Sequence, residues 1–289
     1  MISEVVIIRE SASSLFRPRR FASPQAVGFF CFLFERVMPH TPWQAREFSA
    51  TVQLNEFRAT ANLLQPHDGL SNVVVAGHAL SAARLLGIVA SSTAATAGVS
   101  PTENYLRGAD LIVAYEKLDQ GSIRVDCLWR ATEPAADDRF LAAVDLVISV
   151  RAQTLDSQPE LSVASAMPAS DVLRLQGPAG WKPQGLTVGT PAAIVPDGGT
   201  GCLLFRLPGA DVSYAEMVHP ADFQYDELAR DEPRGDVARL SHRLFQTRLE
   251  KGVILRGRVR GIFLRRADDA EIAAQCYAAF AGADPPLGA

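Results

Sequence analysis

Residues 253–264, VILRGRVRGIFL, carry the clearest secondary-structure signal in this 289-residue chain. Their side chains alternate strictly between two sets, and a period of two is the signature of a β-strand. One set is apolar or glycine, and the other contains three arginines. Gly257 and Gly261, both in the apolar set, indicate a bulge or the close approach of another element. The stretch therefore predicts a long strand with one buried face.

The three arginines of this strand form a candidate anion-binding row. Arg256, Arg258 and Arg260 share one strand face, at a spacing of about 6.5–7 Å. Guanidinium groups fixed in this way suit a carboxylate or sulfate, which arginine can bind through two parallel hydrogen bonds. The alternative is an ordinary solvated face on which the arginines pair with acidic residues of the neighbouring strand.

The segment 213–223, SYAEMVHPADF, supplies candidate acid and base groups. In an extended strand Glu216 and His219 point to opposite faces unless a bulge intervenes. His242, in the stretch RLSHRLF, is the natural third catalytic partner, and Tyr214 is a candidate substrate contact. The alternative is that 213–223 is a strand end whose polar residues are capped or solvated, and that His242 is a half-buried structural histidine.

Further strands are predicted along the middle of the chain. Alternating or apolar runs at 111–117, 123–130 and 144–151 are separated by turn-forming connectors, and a fourth run follows at 160–166. Together they predict an antiparallel meander. Trp129, beside an arginine, is either a platform on which a sugar stacks or a core residue.

Two later segments complete the expected organisation. Residues 171–201 are rich in glycine and proline, which predicts a surface loop or a join between two strand-rich halves. Near the C-terminus, Ile272, Cys276 and Phe280 recur at helical spacing after Asp268 or Asp269. This pattern predicts a helix that covers one end or face of a sheet.

The first 37 residues differ from the rest. RPRR precedes a nine-residue apolar run that is too short to span a membrane. No small-residue cleavage site of a secretion signal follows it. We expect either a poorly defined N-terminal arm over 1–37 or a true start at Met38, with a single domain over 38–289.

Composition excludes several classes of function. A formal net charge of −4 argues against nucleic acid as the main partner. The four cysteines are widely scattered and lack metal-ligand spacing, which predicts buried thiols in a reducing, cytoplasmic compartment and no metal or other cofactor. The five residues Gly77-His78-Ala79-Leu80-Ser81 resemble the nucleophile elbow of α/β-hydrolases, but alanine occupies the position of the nucleophile, so that chemistry is absent.

The expected fold class is all-β and mainly antiparallel: a large β-sandwich with a C-terminal helix and few peripheral helices. By chain length and strand arrangement, residues 45–264 resemble the β-supersandwich of galactose-mutarotase-like proteins. The resemblance implies carbohydrate binding or chemistry in a groove on the concave face of a sheet, with a small or polymeric sugar as partner. No membrane partner is expected, because the apolar run is too short to span one.

Two functional hypotheses follow. In the first, the protein is an isomerase, lyase or hydrolase acting on a sugar, possibly an acidic one. Glu216, His219 and His242 are then its acid–base groups, and the arginine row, Tyr214 and Trp129 are its substrate contacts. In the second, it is a non-catalytic carbohydrate-binding or structural β-sandwich. A metal-dependent enzyme is a third class, and it requires His219, Asp222 and His242 to converge on one ion.

Overall fold

The computed structural model of the protein describes residues 41–90, 99–116, 118, 121–133, 139–231 and 236–283. All of these residues lie within one compact unit, Pro39–Ala289. The predicted N-terminal arm, residues 1–37, lies outside the described residues.

The described residues form nineteen strands and one α-helix, α1, at Asp269–Ala281. The expected all-β class with a C-terminal helix is therefore confirmed. In chain order the strands are β1 (Trp43–Arg46), β2 (Ser49–Gln53), β3 (Phe57–Asn62), β4 (Leu70–Val75), β5 (His78–Leu80), β6 (Arg84–Ala90), β7 (Glu103–Arg107), β8 (Asp110–Tyr115), β9 (Ile123–Thr132), β10 (Phe140–Ala152), β11 (Leu161–Pro168), β12 (Asp171–Leu175), β13 (Trp181–Pro183), β14 (Ala192–Ile194), β15 (Cys202–Arg206), β16 (Val212–Val218), β17 (Tyr225–Arg230), β18 (Val237–Leu244) and β19 (Ile254–Arg265).

The strands pair into two antiparallel sheets that pack as a sandwich. Among the described strands, the first sheet has the order β1-β2-β3-β4-β6-β11-β18-β17-β14, with β5 paired to β4. The second sheet has the order β13-β12-β15-β16-β19-β10-β9-β8-β7. Each sheet takes strands from both the early and the late part of the chain, so the sheets do not correspond to two halves of the sequence.

The predicted meander is correct for three strands and wrong for the fourth. β8, β9 and β10 are neighbours in the second sheet, as the turn-like connectors predicted. β11 instead crosses to the first sheet and lies between β6 and β18. The alternation within a strand fixes which faces are buried, but it does not identify the neighbouring strand.

β19 confirms the strand that the sequence predicted most clearly, and it lies between β16 and β10. Val259 and Phe263 point into the sandwich with the two glycines, whereas the arginines point outward. A Cβ atom at Gly261 would lie 2.3 Å from the Tyr214 hydroxyl oxygen. The glycine is thus explained by the close approach of a side chain.

The helix α1 covers part of the outer face of the second sheet. Ile272, Ala273 and Phe280 are buried in a cluster with Met217 and Ile262 of the sheet, among other residues. The strand β13 lies in the glycine- and proline-rich segment and contacts the start of the helix. The indole Nε1 of Trp181, its first residue, donates a 2.9 Å hydrogen bond to the Ala270 carbonyl.

Candidate functional site

Two of the predicted acid–base residues meet, but they meet inside the sandwich. Glu216 of β16 and His242 of β18 belong to different sheets, and their Oε1 and Nε2 atoms are 3.1 Å apart. Both residues have 0% exposure to solvent. A ligand arriving from solvent cannot touch either side chain in this structure.

These two residues belong to a larger polar network. Glu216 Oε2 accepts hydrogen bonds from Tyr214 Oη at 2.5 Å and from Ser165 Oγ at 2.6 Å. On the other side, His242 Nδ1 lies 2.7 Å from Asp226 Oδ1. The network therefore ties β16 of the second sheet to β11, β17 and β18 of the first.

The charge state of His242 follows from this arrangement. Burial lowers the pKa of the imidazole, but Asp226 and then Glu216 outweigh burial and raise the pKa to about 10. A protonated ring donates one hydrogen bond to each carboxylate, which satisfies both ring nitrogens. The geometry supports a role in joining the two sheets.

The third predicted acid–base residue, His219, lies on the opposite side of the second sheet. It follows the last residue of β16, and its Nε2 is 3.2 Å from the Ala281 carbonyl oxygen at the end of α1. Its ring packs edge-on against Phe280, with 5.5 Å between the ring centroids. The strand alternation, uninterrupted by a bulge, sends Glu216 and His219 apart.

The metal-site hypothesis requires His219, Asp222 and His242 to converge, and they do not. Asp222 Oδ2 accepts a hydrogen bond from the Arg258 backbone amide near His219, while His242 is in the interior. In the part of the chain that the structure describes, no group of three or more histidine, cysteine or acidic residues could hold a metal ion.

The arginine row is present on the outer face of β19, but two of its members are already paired. Arg260 forms a two-point salt bridge with Asp145, its direct cross-strand neighbour on β10, at 2.5 and 2.9 Å. Arg258 is 8% exposed and donates to the Ala283 carbonyl, with Asp222 3.8 Å away. Arg256 is exposed. The pairing alternative therefore describes Arg260, whereas Arg258 is buried and contacts residues that lie outside the neighbouring strands.

The two aromatic candidates are core residues. Trp129 is 2% exposed and lies between the sheets, and Tyr214 is 1% exposed in the polar network. The structure therefore distributes the predicted site residues over the interior and the outer face of the second sheet, and it does not bring them together around an open groove.

A groove that none of these residues lines lies on the outer face of the first sheet. It crosses β6, β11, β18 and β17 and has a volume of about 590 Å³, within the range of about 300–1,000 Å³ typical of ligand pockets. Its floor consists of small side chains that leave the space unfilled: Ser162, Ala164, Ala166, Ala229 and Ser241.

Charged and polar side chains form the walls of this groove. On the β17–β18 side, Arg243 donates two hydrogen bonds to Glu227 Oε2, at 3.1 and 2.7 Å. On the β6 side, Arg84 Nε lies 3.7 Å from Asp68 Oδ1. Arg239 also lines the groove, so three arginines face two carboxylates. Such groups can orient the hydroxyl groups of a polar ligand.

A short 3₁₀ turn, Pro66–Asp68, places a histidine in the same groove. Pro66 favours the helical φ at the first position, and Gly69 ends the turn at a φ of +54°. His67 lines the groove with a side chain that is 34% exposed, and its Nδ1 is buried without a hydrogen-bond partner among the described residues. An imidazole in this position can accept or donate a proton.

Sequence reasoning missed these groove residues because each one looks ordinary in isolation. His67 and Asp68 stand in PHDGLSN, a typical turn sequence, and Glu227 stands in a solvated-looking spacer. One signal was available in β11. Its first three outward residues, Ser162, Ala164 and Ala166, are serine or alanine, so this face is too small for a core and too uncharged for an ordinary solvated surface.

Among the described residues, no helix has the length and apolar character that crossing a membrane requires.

No protein-family model matches the chain, and no curated protein matches it in sequence. Solved structures do match its fold. A proposed aldose 1-epimerase of Escherichia coli K12 superposes with a TM-score of 0.53 at 10% identity, over 74% of this chain and 98% of that one. The Slr1438 protein of Synechocystis sp. PCC 6803 superposes with a TM-score of 0.52 at 10% identity, over 78% of this chain and 98% of that one. A proposed mutarotase, YeaD of Salmonella typhimurium, superposes with a TM-score of 0.50 at 7% identity, over 78% of this chain and 93% of that one. The predicted resemblance to galactose-mutarotase-like proteins is therefore confirmed at the level of the fold.

Proposed function

We propose that the protein binds a carbohydrate of about monosaccharide size in the groove on the first sheet and interconverts its anomers. The observation that carries the proposal is the groove itself, with a floor of small residues between walls that bear His67, Asp68, Arg84, Glu227 and Arg243. The likeness in fold to proposed epimerases and mutarotases agrees with it.

The reaction needs one base and one acid on the bound sugar. A carboxylate such as Glu227 removes the proton from the anomeric hydroxyl, while a protonated imidazole such as His67 donates a proton to the ring oxygen. The bond between the anomeric carbon and the ring oxygen then breaks to give the open aldehyde. Closure on the other carbonyl face, with the two proton transfers reversed, yields the second anomer and restores both groups.

Arg243 positions the proposed base. Its guanidinium holds Glu227 through two hydrogen bonds, which restricts the carboxylate to one orientation at the groove wall. Glu216 and His242, two of the three acid–base residues predicted from the sequence, have no such access and take no part in the proposed chemistry.

The test combines binding with anomer exchange. Saturation-transfer NMR against a panel of neutral and acidic monosaccharides identifies ligands, and exchange spectroscopy on each ligand measures interconversion of its α and β forms. We expect at least one sugar to bind and to exchange faster with protein than without it. Glu227→Gln should reduce the catalysed rate by about 10²-fold or more, the usual contribution of a general acid or base.

Glu103→Gln is the matched control, because Glu103 also pairs with an arginine, Arg124, but on the outer face of the second sheet. It should leave binding and exchange unchanged. Binding without catalysed exchange would instead establish the non-catalytic carbohydrate-binding function. Failure of every sugar in the panel to bind would overturn the proposal.

A further inference from the structure

A β-bulge in β6 lies under one wall of the groove. The pairs Ala164↔Gly87 and Ala166↔Arg84 leave two residues of β6, Leu85 and Leu86, opposite the single residue between the two alanines. Leu86 has a φ of +55°, a left-handed conformation that is unfavourable for a non-glycine residue. Something in the surrounding structure must hold this conformation.

The bulge also supports the turn that carries His67. A Cβ atom at Gly87 would lie 2.2 Å from the His67 carbonyl oxygen, and one at Gly69 would lie 2.1 Å from the Leu85 carbonyl oxygen. The two backbone segments are therefore in direct contact, and glycine is required on both sides. A shift of the bulge must displace the turn and the His67 ring with it.

Ser165 occupies the position opposite the bulge and fixes it from the interior. Its hydroxyl oxygen accepts a 2.9 Å hydrogen bond from the Leu86 backbone amide. The same hydroxyl donates to Glu216 Oε2 at 2.6 Å, and Glu216 is held in turn by Tyr214 and His242. Because Leu86 is 1% exposed, losing this acceptor would leave its buried amide unsatisfied.

We propose that Ser165 and Glu216 are positioning residues for the groove: from inside the sandwich they hold the β6 bulge and, through it, the 3₁₀ turn that presents His67 and Asp68. The inference rests on the proposed function only in its last step, the effect on sugar binding. The effect on the bulge and on the His67 ring can be measured without any ligand.

The experiment compares Ser165→Ala with Ser213→Ala. Ser213 is also a buried serine, and it donates a 2.7 Å hydrogen bond to the Asp269 carboxylate, but it lies on the side of the second sheet away from the groove. Both variants lose a buried hydroxyl–carboxylate bond, so a general loss of stability is common to both. Only Ser165→Ala removes the acceptor of the Leu86 amide.

Three readouts are taken on the intact chain: hydrogen exchange of the Leu86 amide, the NMR signals of the His67 ring, and the dissociation constant for any sugar that binds the wild type. In Ser165→Ala we expect Leu86 to exchange about tenfold faster than in the control, as loss of a buried hydrogen bond implies. We also expect shifted His67 signals and about tenfold weaker sugar binding. Glu216→Gln should retain the wild-type His67 signals, because its amide oxygen can still accept from Ser165.

Unchanged Leu86 exchange and unchanged His67 signals in a folded Ser165→Ala variant would overturn the inference, even if sugar binds normally. Changed signals in a protein that binds no sugar would support the positioning role and count only against the proposed function. If Ser165→Ala does not fold, Ser165→Cys replaces the hydroxyl with a thiol, which is only a weak acceptor for the Leu86 amide. It must move the same Leu86 and His67 signals in the same direction, and their failure to move would contradict the inference.

Discussion

Gly261→Ala tests the packing at the centre of the sandwich. Gly261 faces inward on β19, directly against Tyr214 of the adjacent strand β16. A methyl group there would lie 2.3 Å from the Tyr214 hydroxyl oxygen and 2.9–3.0 Å from two ring carbons. Gly261 does not have a positive φ, so any cost comes from the added atom and not from backbone strain.

The expected magnitude has two parts. Overpacking of a well-packed core costs about 1–3 kcal/mol. The displaced ring must also weaken the 2.5 Å bond from Tyr214 to the buried Glu216 carboxylate, and hydrogen bonds to charged groups contribute about 1.5–3 kcal/mol. Gly261→Ala should therefore lower the free energy of unfolding by about 2.5–6 kcal/mol, a large fraction of the stability of a typical domain.

The assay is urea denaturation followed by tryptophan fluorescence. Gly257→Ala is the matched control on the same strand and face, where the nearest atoms are side-chain ends of Leu244 and Phe245 at 3.1 and 3.2 Å. Those side chains can move by a few tenths of an ångström, so we expect a loss below about 1 kcal/mol. Any gain from a less flexible unfolded chain applies to both variants and cancels in the comparison.

A double variant makes the reasoning refutable. Tyr214→Phe removes the atom in closest contact with the new methyl group, so Gly261→Ala should cost at least about 1 kcal/mol less in that background than in the wild type. Equal costs for the two glycine variants, with no coupling to Tyr214, would show that this tyrosine does not lie against Gly261.

Three further predictions concern polar groups away from the groove. Burial lowers the pKa of His242, but Asp226 and then Glu216 outweigh burial and raise the pKa from 6.5 to about 10. The charged imidazole therefore stabilises the fold fully below pH 6.5, and this stabilisation is lost as the pH rises towards 10. The stability difference between wild type and His242→Gln should therefore shrink over that interval, and a constant difference would contradict a charged imidazole. Trp181→Phe removes the hydrogen bond to Ala270 and should cost about 0.5–1.5 kcal/mol in urea denaturation, whereas no loss would argue against that contact. Burial raises the pKa of Asp269, but hydrogen bonds from Arg206 and Ser213 outweigh burial and lower the pKa below 3.8. The charged carboxylate therefore stabilises the fold above pH 3.8, and this stabilisation is lost in stronger acid. Asp269→Asn should consequently flatten the acid limb of the stability curve, and an unchanged limb would exclude this origin.

The fold class could be read from local patterns. The alternation in 253–264 predicted β19 and its inward face, and the helical spacing of Ile272 and Phe280 predicted α1. These patterns are reliable because the geometry of a single strand or helix determines which side chains share a face.

The site could not be read in the same way. Ser165 and Glu216 are 51 positions apart, and Glu216 and His242 are 26 apart, yet all three meet in one network. The same alternation that correctly separated Glu216 from His219 gave no sign that Glu216 faces the interior and that the groove lies behind the opposite sheet. The groove floor, in turn, is formed by β11 together with β17 and β18, two consecutive strands that come much later in the chain.

The sequence by itself determined that the chain forms strands, which residues share a face of each strand, and that a helix ends the sandwich. These properties depend on dihedral preferences and burial within a few residues. Only the tertiary structure decided that β11 leaves the meander for the first sheet, that two of the three predicted acid–base residues are buried in the interior, and that ordinary-looking turn and spacer residues line the groove. The physical reason is that strand pairing joins segments far apart in the chain, and the period of a strand carries no information about its partner.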